Sequence, residues 1–69
     1  MHTTDTALLA NISILAEMLE TAAAQALEAR EAMERGERNL AIGTLDVAAE
    51  AMETVGPLWA ATQALHRRR

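Results

Sequence analysis

Apolar residues recur along the first half of the chain at Leu8, Ile12, Leu15, Leu19, Ala22, Ala26, Ala29 and Met33, a 4-3 alternation without a break. A helix completes a turn in about 3.6 residues, so this spacing draws one apolar line down a helix packed lengthwise against others. Thr3, Thr4 and Asp5 offer capping side chains just before the pattern starts, and an acid there suits the positive end of the helix dipole. Glu34-Arg35-Gly36 reads as the stop, with arginine near the negative end and glycine at the left-handed cap. Glu31 and Arg35 add a favourable i, i+4 pair. A helix over about residues 5–35 follows, then a turn over 36–39 with Asn39 as the next N-cap.

The period resumes through Leu40, Ile42, Leu45, Ala49, Met52 and Val55, then meets Gly56-Pro57. Proline lacks the amide hydrogen and crowds the preceding turn, and the residue before it is pushed off the α region. The expectation is a second helix over about 40–55, kinked or broken at Gly56-Pro57, helix again over about 57–66, and a basic tail at 67–69. At ~1.5 Å per residue the first helix is about 45 Å long and the second stretch about 40 Å. Equal lengths joined by a short turn give an all-α antiparallel helical hairpin in one domain. Folding about the turn sets Gly43 near Ala29 and Ala32, Ala49 near Ala26, Met52 near Ala22 and Ala23, and Trp59 near Leu15.

The apolar arcs are wider than a hairpin can hide. Each covers roughly half of its helix, against the ~100° stripe that suffices for a surface helix. The expected core and interface set is Leu8, Ile12, Leu15, Leu19, Ala22, Ala26, Met33, Leu45, Ala49, Met52, Val55 and Trp59. Covering all of it calls for a second layer, and a homodimeric four-helix bundle is the economical solution, with a tetramer or another protein as the alternative cover.

Size points the same way. A chain of 69 residues is near the lower limit for a free-standing core and usually needs a staple or oligomerisation. With no cysteine, disulfides, thiolate metal sites and cysteine nucleophiles are excluded. The uncharged run from Thr6 to Ala16 is too short to span a bilayer, and the N-terminus lacks the pattern of a signal peptide. The expectation is a cytoplasmic protein without a membrane partner. Sixteen alanines, and arginine as the only basic side chain besides histidine, point to a GC-rich bacterial source.

Candidate chemistry is sparse. Ten acids against six arginines give a charge of −4, which disfavours phosphate backbones, and the single aromatic, Trp59, provides no stacking platform. Glu17/Glu20 and Glu50/Glu53 form two Glu-x-x-Glu pairs at similar height. Carboxylate-bridged metal bundles add a Glu-x-x-His motif pointing inward, which this sequence lacks, so these glutamates read as a solvated acidic face. His2 and His66 meet at the open end and read as exposed rather than as a metal site. Arg67, Arg68 and Arg69 form the only basic cluster. They would contact an anionic partner, or simply complement a helix C-terminus. Ser13, Thr44 and Thr62 have no histidine placed to activate them. No catalytic residue, metal ligand or cofactor site is expected.

Two functional readings result. The first is a small non-enzymatic interaction protein that self-associates through apolar helix faces, as an adaptor, regulator or small chaperone-like module. The second is a nucleic-acid-binding hairpin dimer. In architecture alone the chain is similar to Rop-like plasmid regulators, which are hairpins of nearly this size that dimerise and touch RNA. Against this, Arg30, Arg35 and Arg38 gather at the turn rather than along a helix face.

Overall fold

The computed structural model describes residues 3–67, which form two helices and, among the described residues, no strand. Helix α1 runs Thr3–Glu34 and helix α2 runs Arg38–Arg67. They fold back on each other as an antiparallel hairpin 52 Å long and 18 by 12 Å across.

The turn is tighter than the sequence suggests. Gly36 has a positive φ of 80°, its amide donates to the Met33 carbonyl at 2.9 Å, and the Glu37 amide donates to Ala32 at 2.8 Å. This reciprocal pair satisfies two of the carbonyls orphaned at the end of α1, and the left-handed backbone it needs is cheap only for glycine. The Ala41 amide then donates to the Glu37 carbonyl at 3.0 Å. Glu37 therefore occupies the cap position expected for Asn39, which lies inside α2. Arg35 pairs with Glu37 at 3.2 Å rather than with Glu31, and Arg30 with Glu34 at 3.8 Å. The hydrogen bond and charge of Glu37 raise the Arg35 pKa against the opposing effect of burial, and the charge of Glu31 adds to the rise. At the other end, Thr3, Thr4 and Asp5 all lie within α1, with Asp5 in its first turn.

Of the kink or break expected at Gly56-Pro57, the break does not occur; α2 continues through Pro57. Pro57 is exposed, while Val55, Leu58 and Thr62 on either side of it are drawn in against α1. Packing on both flanks holds the backbone helical through the proline. The expected tail also changes: Arg67 ends α2, and Arg68 and Arg69 lie outside the described residues, as does His2.

The contact seam between the helices is a heptad line on both. On α1 it runs Leu8, Asn11, Leu15, Met18, Ala22, Gln25, Ala29, Ala32; on α2 it runs Ala41, Thr44, Ala48, Ala51, Val55, Leu58, Thr62, Leu65. Every one of these positions is buried or half-buried, and each line advances by alternating steps of three and four, as lengthwise helix packing requires. Ala32 and Ala41 are 1 % exposed and join Ala29 in a small core by the turn, where alanines bring the backbones close. Among the described residues no large side chain is fully buried. Thr44 and Thr62 enter the seam by returning their hydroxyls to the Leu40 and Leu58 carbonyls, at 2.9 and 2.8 Å. Gln25 is less settled, since its Oε1 is buried without a partner. Gly43, expected at the close approach, is exposed instead, with open space where a Cβ would stand. Ala41 and Thr44 take that place.

Candidate interaction face

The apolar line read from the sequence is divided by the structure. Leu8, Leu15, Ala22 and Ala29 belong to the seam, while Ile12, Leu19, Ala26 and Met33 stand one row outside it and are exposed. The row is displaced because Asn11, Met18, Gln25 and Ala32 complete the seam in their place. Helix α2 behaves likewise: Val55 is half-buried in the seam, Leu45, Met52 and Trp59 are exposed beside it, and Ala49 is exposed one row further out.

These outer rows share one side of the molecule. In an antiparallel pair the corresponding flanks of the two seams face the same way. The groove between the helices shows this directly, being lined by Ala26, Ala29, Arg30 and Met33 from α1 and by Ala41, Ile42 and Leu45 from α2. It is an open depression of about 250 Å³ near the turn, and its walls are almost wholly apolar. The next row out adds Leu9, Ala16 and Ala23 on α1 and Ile42, Ala49 and Gly56 on α2. Between its charged ends, one broad side of the hairpin is therefore an apolar sheet of side chains. Met52 is 53 % and Trp59 56 % exposed on it. Among the described residues the only carboxylate on these rows is Asp5, at the open end; Arg30, Arg38 and His66 are the other titratable groups there.

The opposite side is different. Ile14, Leu40 and Val47 are exposed there, but they alternate with Glu17, Glu28, Glu31 and Glu50. Glu20, Glu34, Asp46 and Glu53 follow the outer edges, so the two Glu-x-x-Glu pairs point away from the seam into solvent. Among the described residues no group of three or more histidine, cysteine or acidic side chains is placed to hold a metal ion. Eight large apolar side chains exposed on one side, with all carboxylates but Asp5 on the other side and edges, cannot be explained as scattered surface residues. A monomer seldom exposes an apolar patch larger than a few hundred Å² without a use for it.

By length and composition α1 is also apolar enough to cross a membrane, and none of that apolar stretch is buried inside the hairpin. The sequence-based limit drawn from the uncharged run Thr6–Ala16 was narrower, because it stopped at Glu17. A scan against protein-family models finds none that matches the chain, and searches of curated proteins and of solved structures give no match either.

Proposed function

We propose that this chain is a small non-enzymatic interaction module that works through its apolar broad side, and that the side is covered by self-association into a homodimeric four-helix bundle. The observation that carries this reading is the one-sided surface: Ile12, Leu19, Met33, Leu45, Met52 and Trp59 stand out together from the hairpin, and among the described residues Asp5 is the only acid on their rows. The outline of the hairpin, 52 by 18 Å, bounds the area that two stacked copies bury at about 1,900 Å² in total. Stable protein interfaces bury about 1,200–2,000 Å². Stacking also keeps the glutamates at the outer side and edges, so two copies of an acidic chain meet where they repel least.

Water rather than a bilayer is the surrounding that suits the assembled bundle. In a spanning hairpin Glu17, Glu20, Glu50 and Glu53 would stand near the membrane midplane, where each carboxylate costs about 2.5–3.5 kcal/mol or more. In the bundle they stay hydrated and only the apolar rows are covered.

Sedimentation equilibrium over a wide concentration range tests the proposal. A dimer, or a tetramer built from dimers, is the expected result. A helical monomer that persists to millimolar concentration would overturn self-association and leave the apolar side to a different protein.

A further inference from the structure

Resting on the self-association just proposed, we infer that the occupant of the apolar side is a second copy turned end for end, with Trp59 of the partner subunit seated over the groove near the turn. The groove and Trp59 lie on the same broad side but toward opposite ends of it. At ~1.5 Å per residue, Trp59 stands about 33 Å from the turn, on helices about 48 Å long. Reversing a copy sets its Trp59 about 15 Å from the first copy's turn, which is the height of Ala26 and Leu45, where the groove opens. The groove is about 250 Å³ of apolar depression in want of a large side chain, and Trp59 is the largest exposed one. Stacked in the same direction, groove would meet groove, leaving facing voids that a packed interior does not keep.

Charge selects the same direction. The turn end of the apolar side carries Arg38 and Arg30, the latter also paired with Glu34 along α1, and the open end carries Asp5 and His66. A reversed copy brings Asp5 of the partner subunit to the arginines. A copy stacked in the same direction gathers four arginines at one end. Opposite charges at the edge of an interface fix its register, whereas like charges disfavour the competing one.

The direction can be measured without ambiguity, because the chain has no cysteine of its own. A spin label on the outward-facing residue at position 39, introduced as Asn39→Cys, reports the separation of the two turns by pulsed electron resonance. Reversed copies place the labels about 45 Å apart, given the helix lengths. Same-direction copies place them under about 30 Å apart, since neighbouring helices lie 8–10 Å from one another. The long distance supports the inference and the short one overturns it. The anchor is tested separately: Trp59→Ala should weaken dimerisation at least about thirtyfold, the loss typical of an aromatic side chain anchored in a partner's pocket. Ala26→Leu, at an exposed position that a hairpin tolerates, should fill the groove, weaken the dimer and move Trp59 emission to longer wavelength. Dimerisation as tight as wild type in both variants would remove the anchor, leaving self-association itself intact. A wild-type chain that sediments as a monomer would instead remove the reading beneath.

Discussion

Met52 lies near the midpoint of the apolar side, one row outside the seam, and is 53 % exposed in the single hairpin. In a bundle whose twofold axis passes close by, the two copies of this residue approach each other. Met52→Glu therefore places two carboxylates in the dry centre of the interface. Fully burying a methionine contributes about 1.5–3 kcal/mol, so covering the exposed half contributes about 1 kcal/mol per copy, which the variant loses. The introduced carboxylate must also be dehydrated or protonated. Protonating a group of ordinary pKa near 4.3 at pH 7 costs about 3.7 kcal/mol. Two copies together then lose roughly 9 kcal/mol. Even if half is recovered by the side chains edging toward water, about 5 kcal/mol remains, more than a thousandfold in Kd.

The assay is sedimentation equilibrium beside circular dichroism. The expected outcome at pH 7 is a helical monomer at concentrations where the wild type is a dimer. The sign of the pH effect follows from the same chemistry. The carboxylate's pKa is higher in the dimer than in the monomer, so the variant regains dimer as the pH falls toward 4. Glu53→Gln, one residue along on the outer edge, should leave the dimer unchanged. If Met52→Glu dimerises like the wild type at pH 7, Met52 is not in the interface and the apolar side is not the surface through which the copies meet.

Three further substitutions probe the hairpin itself, at fixed protein concentration. Ala32→Leu enters the tightest approach of the helices, where Ala32 is 1 % exposed, and should cost about 1–3 kcal/mol by overpacking. A melt unchanged from wild type would show that the helices do not meet through the alanines near the turn. Gly36→Ala should cost about 1 kcal/mol, because alanine resists the left-handed backbone at φ 80° even though no atom crowds its Cβ; a rise in Tm would contradict the turn geometry. Pro57→Ala restores an amide donor in an exposed stretch of continuous helix and should raise Tm, since proline is about 3 kcal/mol less favourable than alanine inside a helix. A drop in Tm would mean that proline at this position serves the packing of α2.

The two-helix hairpin was legible in the sequence because it depends on local quantities. Periodicity gives the helices, and Gly36 after a run with no earlier glycine or proline gives the reversal. The surplus of apolar arc was legible too, being a matter of counting residues around a wheel. Other expectations treated as local an outcome decided by contact. Pro57 reads as a breaker until Val55 and Leu58, on either side of it, are packed against the neighbouring helix. Asn39 reads as a cap until the bonds from the Glu37 and Gly36 amides shorten the turn.

Which of two adjacent apolar lines becomes the seam is not a property of one helix. Leu8, Leu15, Ala22 and Ala29 belong to both lines, so the sequence could not separate Ile12, Leu19, Ala26 and Met33 from Asn11, Met18, Gln25 and Ala32. The sequence by itself determined that helices form, where they reverse and that more apolar surface exists than a pair can hide. Only the tertiary structure decided which row is buried and which is left facing outward, because that depends on how closely two backbones approach. At the turn the small side chains of Ala29, Ala32 and Ala41 let them come nearest, which draws the mixed row inward and leaves the larger side chains outside.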